Sequence, residues 1–187
     1  MSKKQILFLA QISILSALIL LMTFVPQLGY INYGLMAVTL IHIPVIVGGG
    51  LTGPYGGLIL GIVWGVSCWA NAMMTGTLAV LWFMNPLISV LPRVIVGLLS
   101  GVLFNLFGRI TQKMPLRCVL TAVCATLSNT ILVFAAILIF GSPIPEFGDT
   151  INVLFTAALA INVPVEIISA CLITAGVVTA VKKAKLA

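Results

Sequence analysis

The basic residues of this chain lie almost entirely between its long apolar runs. Two lysines precede the first run, three basic residues separate the fourth from the fifth, and three lysines follow the sixth. They are Lys3, Lys4, Arg109, Lys113, Arg117, Lys182, Lys183 and Lys185. Short cytoplasmic loops of membrane proteins collect lysine and arginine, so these clusters are expected on one side of a bilayer. Even numbers of crossings must separate them, which predicts six transmembrane helices with both termini cytoplasmic.

The composition excludes a soluble domain of this size. The chain has 187 residues, of which 61% are hydrophobic and 6% are charged, and so few charges cannot cover a globular surface. A membrane-spanning helix takes about 20 residues, so six of them leave only short connections. We predict an all-α integral membrane protein with a single six-helix domain over residues 1–187. The expected helices cover approximately residues 5–25, 35–50, 55–73, 84–107, 118–140 and 151–181.

Glycines and prolines indicate how these helices pack and bend. A ladder of glycines with a spacing of four residues lies along one face of helix three, where a neighbouring backbone can approach closely. Its members are Gly53, Gly57, Gly61 and Gly65. Pro86 and Pro92 remove backbone donors from helix four, so we expect its outer half to kink or unwind.

The sequence lacks the usual constellations of catalysis and metal binding. No GxxxxGK[ST] phosphate loop occurs, and the four cysteines form no CxxC pair. His42 is the only histidine, and Glu166 is the only acid inside a predicted helix. A nucleophile with a base, or a pair of catalytic carboxylates, therefore has no support. We predict a protein that is not an enzyme and needs no metal or cofactor.

Polar side chains in the predicted helices form a candidate binding site. Charged and amide groups are costly in hydrocarbon, so they should line an interior cavity or satisfy one another. The candidates are Asn71, Asn85, Arg93, Asn129, Asn162, Glu166 and His42, with Trp69 near the outer end. Arg93 either contacts a ligand or forms an ion pair with Glu166. His42 and the asparagines either bind a ligand or join neighbouring helices by hydrogen bonds.

Five segments of this chain, in this order and spacing, resemble the substrate-binding S component of energy-coupling factor (ECF) vitamin transporters. The likeness covers helices two to six and is greatest for the pantothenate-binding members. The segments are TLIHIPVIVGG (39–49), GPYGGLILGIVWG (53–65), NPLISVLPRVIVGLLSG (85–101), ATLSNTILV (125–133) and NVPVEIISA (162–170).

The resemblance implies a subunit of the bacterial cell membrane that captures a vitamin from outside. Such proteins associate with a transmembrane coupling subunit and two cytoplasmic ATPases. Their first helix carries an AxxxA-type motif that faces the coupling subunit; here Ala10, Ser13 and Ala17 take its place. The resemblance implies pantothenate as the vitamin, and Arg93 could meet its carboxylate through a charge-assisted hydrogen bond. Riboflavin, pyridoxine and folate stay open, as does a stand-alone secondary carrier in which Glu166 relays protons.

Overall fold

The computed structural model describes residues 2–33, 36–75, 78–141 and 158–184, most of them helical. Five of its helical stretches are long and apolar enough to cross a membrane, which confirms the predicted all-α membrane class. The elements in chain order are α1 (Lys3–Phe24), α2 (Pro26–Gly29), β1 (Tyr30–Tyr33), β2 (Met36–Thr39), α3 (His42–Thr75), a 3-10 helix (Leu78–Met84), α4 (Pro86–Ser89), α5 (Leu91–Ile110), α6 (Met114–Phe140), a π-helical turn (Ala158–Asn162) and α7 (Val163–Lys183).

The long helix α3 consists of two limbs that meet at Gly53. This residue has φ 79° and ψ −170°, a conformation outside the helical region that glycine adopts without steric cost. Gly48 in the first limb packs directly against Leu60 in the second. Twelve residues of straight helix would separate these positions by about 18 Å, so the chain reverses direction at Gly53. The two limbs correspond to the predicted helices two and three.

A short β-hairpin occupies the segment before α3. β1 and β2 pair antiparallel, with Tyr30 opposite Thr39 and Ile31 opposite Val38. The predicted start of helix two at residue 35 is therefore wrong, because Met36–Thr39 is extended and the helix begins at His42. The cause is strand pairing: cross-strand hydrogen bonds satisfy the backbone here, and an apolar run alone does not distinguish strand from helix.

The predicted break in helix four is present. α4 ends at Ser89 and α5 begins at Leu91, with Val90 between them. Pro86 and Pro92 both lie in the first turn of their helices, where a missing N–H costs nothing.

Glycines bring α3 and α5 into direct backbone contact. A Cβ atom built on Gly57 would strike the carbonyl oxygen of Gly97, and one on Gly61 would lie 2.6 Å from the carbonyl oxygen of Arg93. Such contacts between small residues allow close van der Waals packing of membrane helices. The α3–α5 contact therefore fixes the backbone that carries Arg93.

The two ends of the bundle carry different features. We call one of them the basic end. There Phe8 of α1 stacks on Tyr55, just after the turn at Gly53, and residues 111–113 connect α5 with α6. The opposite end, which we call the hairpin end, carries β1 and β2. The acidic residues Glu146 and Asp149 of the sequence and the predicted start of helix six at residue 151 lie outside the described residues.

Candidate functional site

A connected set of buried side chains crosses the hairpin-end half of the bundle. His42, the first residue of α3, hydrogen-bonds through Nε2 to Oγ1 of Thr126 in α6 at 3.2 Å. The His42 ring centroid lies 6.5 Å from that of Trp64 in the second limb of α3. The guanidinium carbon of Arg93 in α5 lies 5.5 Å from the Trp64 ring centroid. Side chains of α3, α5 and α6 therefore form one continuous network.

Arg93 is the buried cation of this network, with 9% of its surface exposed. Its Nη1 donates a hydrogen bond of 2.9 Å to the carbonyl oxygen of Ile88. Its guanidinium carbon also lies 5.1 Å from the Phe83 ring centroid, so Phe83 is a second aromatic neighbour besides Trp64. Its Nε is buried and has no hydrogen-bond acceptor within the described residues. The guanidinium therefore retains unused hydrogen-bonding capacity in a largely apolar environment.

Glu166 has a different partner. Its Oε1 accepts a hydrogen bond of 2.8 Å from the backbone N–H of Thr39, which ties β2 to the first turn of α7. In the part of the chain that the structure describes, the ionisable groups interacting with Arg93 are Tyr30 and Cys68. No ion pair between Arg93 and Glu166 is therefore present among the described residues, and contact between Arg93 and a ligand stays a prediction.

Tyr30 supplies no negative charge to Arg93. Its hydroxyl lies 3.8 Å from Sγ of Cys68. Burial raises the pKa of Tyr30 well above its usual range, so the phenol stays neutral at physiological pH. Arg93 consequently has polarisable neutral neighbours but no anionic partner among the described residues.

Two asparagines predicted as site residues, Asn129 and Asn162, lie a few positions from Thr126 and Glu166 in the sequence. Asn129 is 8% exposed and lies one helical turn beyond Thr126 in α6. Its Oδ1 is buried and has no hydrogen-bond donor among the residues described. Asn162 is half-buried and precedes Glu166 by four residues, which places both on one face of the helix.

The remaining candidates connect elements at the hairpin end. Asn85 caps α4, and its Nδ2 donates a hydrogen bond of 3.4 Å to the carbonyl oxygen of Phe140. Trp69 is 36% exposed, and its Nε1 donates to the carbonyl oxygen of Met84 at 2.9 Å. Asn71 is half-buried near the end of α3. The structure thus gives Asn85 and Trp69 bonds that hold secondary-structure elements together.

Several side chains of the network are not among the sequence candidates. Thr126 could have been found from Asn129, because a spacing of three residues places both on one helix face. Ser89, which precedes Arg93 by four positions, is not hydrogen-bonded to the network, but it is buried and its Oγ has no partner within the described residues. Trp64 gives no local signal, since a tryptophan in an apolar helix is usually a packing residue.

The network combines one buried cation with neutral hydrogen-bonding groups and aromatic rings. A guanidinium in such surroundings pairs strongly with a carboxylate, because low polarity strengthens charge-assisted hydrogen bonds. Among the described residues, no group of three or more His, Cys, Asp and Glu side chains is placed to hold a metal ion. The arrangement is suited to binding a small organic anion that also carries polar groups.

A membrane bundle with an interior polar network of this kind is typical of proteins that bind or transport small solutes. Comparison with known proteins agrees, since the family described as ECF transporter, substrate-specific component, matches residues 7–181. The chain therefore belongs to the substrate-specific components of ECF transporters. It is a multi-pass protein of the bacterial plasma membrane.

Two curated relatives are similar over different lengths. The pantothenic acid transporter PanT of Lactococcus lactis subsp. cremoris is 30% identical over 165 residues, which cover 79% of this chain and 79% of the relative. The pantothenate transporter PanT of Leuconostoc mesenteroides subsp. mesenteroides is 34% identical over 110 residues. That second alignment covers 56% of this chain and 54% of the relative, about half of each protein.

Proposed function

We propose that this protein is the substrate-binding subunit of an ATP-driven ECF importer and that it captures pantothenate from outside the cell. Its family is that of substrate-specific components, and both relatives described above carry pantothenate or pantothenic acid in their names. The observation that carries the proposal is Arg93, a buried guanidinium with no carboxylate partner among the described residues.

The charge of Arg93 matches the carboxylate of pantothenate. A lone cation in the membrane interior is costly, and an anionic ligand would compensate it. The Arg93 guanidinium lies over the rings of Trp64 and Phe83, which help to orient it. Its Nε has no acceptor among the described residues and is free to donate to a ligand oxygen.

Neutral groups nearby suit the amide and hydroxyls of the vitamin. Asn129 offers a buried carbonyl oxygen, and its side-chain amide can both donate and accept hydrogen bonds. Asn162 and His42 are further candidates for contact with the vitamin. In this proposal Glu166 holds β2 in place through Thr39 and does not touch the carboxylate of the ligand.

The charge test compares pantothenate with its neutral alcohol analogue by titration calorimetry. Arg93→Gln should weaken binding of the acid about 10- to 150-fold, because a hydrogen bond to a charged group is worth about 1.5–3 kcal/mol. The neutral alcohol should lose much less. Arg109→Gln removes the same charge from the exposed last turn of α5 and is the matched control.

Equal losses of affinity for the acid and the alcohol would show that Arg93 does not bind the carboxylate. Tighter binding of riboflavin, pyridoxine or folate by the unmodified protein would reassign the vitamin. Accumulation of pantothenate in liposomes that contain only this protein would instead support a stand-alone secondary carrier.

We also propose that α1 docks against a transmembrane coupling subunit, which two cytoplasmic ATPases accompany. Ala10, Ser13 and Ala17 are all exposed, whereas Ile12 and Ile19 of the same helix are buried. Small exposed residues on one face permit a partner helix to approach closely. The basic end would then face the cytoplasm, as the distribution of lysine and arginine predicts.

Ala17→Trp should prevent recovery of the complete complex, because a bulky side chain separates the two helices. Copurification with the coupling subunit measures this effect. Pantothenate binding by the isolated subunit should be unchanged. Leu172→Trp, at an exposed position of α7, is the control and should leave assembly intact. Normal recovery of the complex with Ala17→Trp would place the docking surface elsewhere.

A further inference from the structure

Two cations share one aromatic ring at the basic end. The guanidinium carbon of Arg117 lies 3.7 Å from the Phe104 ring centroid, and Nζ of Lys182 lies 4.6 Å from the same centroid. Arg117 belongs to α6, Phe104 to α5 and Lys182 to α7. Three helices therefore contribute to this group, which we call the Phe104 cluster.

The Arg117 guanidinium is held in place on two sides. Its Nε donates a hydrogen bond to the carbonyl oxygen of Phe104. A Cβ atom built on Gly108 would lie 2.6 Å from the guanidinium carbon, so this glycine leaves the space that the guanidinium fills. With Nε used in this way, the two terminal nitrogens remain available to an anion in a defined orientation.

The Phe104 cluster has no acidic side chain to balance it within the described residues. Arg117 and Lys182 are close enough to interact electrostatically, and like charges repel. Glu166 is the only acid that the structure describes, and it precedes Lys182 by sixteen residues on the same helix. At about 1.5 Å per residue, it lies about 24 Å away along α7. An external anion would relieve the repulsion.

The depth of the cluster and its neighbours suit a lipid. Lys182 lies next to the last residue of α7 and Arg117 lies in the first turn of α6, where both spans end. Phospholipid phosphates lie at this level of a bilayer, and arginine and lysine both bind phosphate. Ile110 and Leu116 are exposed apolar side chains near the same ends, suited to acyl chains.

We propose that Arg117 and Lys182 bind the phosphate of an anionic phospholipid such as phosphatidylglycerol. The lipid neutralises the Phe104 cluster and joins the ends of α5, α6 and α7. This site is separate from the network around Arg93 and does not depend on the identity of the transported vitamin.

Native mass spectrometry of the purified protein tests the proposal. The protein is equilibrated with equal amounts of phosphatidylglycerol and phosphatidylcholine, and retained lipid is counted. The unmodified protein should retain phosphatidylglycerol preferentially. Arg117→Gln and Lys182→Gln should each lower retention about fivefold, as expected for one basic residue near anionic lipid. Arg117→Lys keeps the positive charge and should retain much more phosphatidylglycerol than Arg117→Gln.

Lys183→Gln is the matched control, because Lys183 is the exposed next residue of α7 and carries the same charge. It should change retention less than about twofold, as a residue outside the phosphate contact. Equal losses in Lys182→Gln and Lys183→Gln would overturn the site in favour of diffuse attraction. Absence of a preference for phosphatidylglycerol would also overturn it.

Two further arms distinguish other sources of the anion. If inorganic phosphate displaces the lipid at equal concentration, the ligand is free phosphate and the lipid proposal fails. If Arg117→Gln abolishes assembly with the coupling subunit while lipid retention is unchanged, the cluster is a protein contact and the proposal also fails. Lys182→Gln keeps the test valid if Arg117→Gln does not fold, because its Nζ makes a ring contact rather than a backbone hydrogen bond.

Discussion

Arg93 at the hairpin end and Arg117 at the basic end are held in similar ways. Each guanidinium lies over an aromatic ring, and each donates a hydrogen bond to a backbone carbonyl oxygen. Neither is balanced by a carboxylate within the described residues. They differ in depth: Arg93 is 9% exposed inside the bundle, whereas Arg117 is half-buried where α6 begins.

That difference in depth separates the two proposed ligands. The interior around Arg93 is poorly solvated, so a charge there interacts strongly with a small anion that enters the bundle. Arg117 shares the Phe104 ring with Lys182 near the ends of their helices, where salt screens charges and lipid headgroups supply anions. Similar local contacts therefore support an interior solute site at one end and a lipid site at the other.

Removing the aromatic ring next to each arginine should give the largest difference between the effects on pantothenate binding and on phosphatidylglycerol retention. Trp64→Leu should weaken pantothenate binding about 30-fold, because a desolvated cation–π contact is worth about 2 kcal/mol. Phe104→Leu should lower phosphatidylglycerol retention only about two- to fivefold, as expected for a more exposed contact. Each substitution is measured for both ligands. Loss of both ligands in either variant would mean that the two sites are coupled.

The glycine contact between α3 and α5 should matter only for the site around Arg93. Gly61→Ala places a methyl group against the Arg93 carbonyl oxygen, and such overpacking costs about 1–3 kcal/mol. We expect pantothenate affinity to fall about tenfold and phosphatidylglycerol retention to stay unchanged. Gly176→Ala is the control, since its methyl group would meet nothing within 4 Å. Normal affinity in Gly61→Ala would show that the contact does not position Arg93.

Glu166→Gln should have the smallest effect. Glutamine keeps an oxygen that accepts the Thr39 N–H, so pantothenate affinity should change less than about threefold. Calorimetry on Arg93→Gln, Glu166→Gln and the double variant checks this, and the two free-energy changes should add. Recovery of affinity in the double variant would mean that Arg93 and Glu166 form an ion pair in the unmodified protein. A complete loss of transport in Glu166→Gln with intact binding would favour a proton relay.

Local signals in the amino-acid sequence predict much of the fold. Long apolar runs and the positions of basic residues gave the membrane class, because burying uncharged segments in lipid is the dominant constraint on such chains. Pro86 and Pro92 predicted the break between α4 and α5, since each removes a backbone donor. The glycine spacing predicted close packing of Gly57 and Gly61 against a neighbouring helix. These features need only residue type and spacing.

The candidate site could be predicted only in part. Arg93, Glu166 and Asn129 were identifiable because polar groups inside apolar helices are conspicuous, and all three are buried in the structure. The partners of Arg93 and Glu166 were not identifiable. Trp64, which contacts Arg93, and Thr39, which donates to Glu166, are each separated from them by many residues along the chain. Whether any of these residues binds a ligand stays a prediction.

The sequence by itself determined which residues enter the membrane and which must find polar partners, because both follow from the cost of placing each residue type in lipid. Only the tertiary structure decided which residues are those polar partners. It paired β1 with β2, reversed α3 at Gly53, and gave Glu166 to the Thr39 backbone rather than to Arg93. These outcomes depend on contacts between residues far apart in the chain, and packing of the whole bundle, not local composition, selects among such contacts.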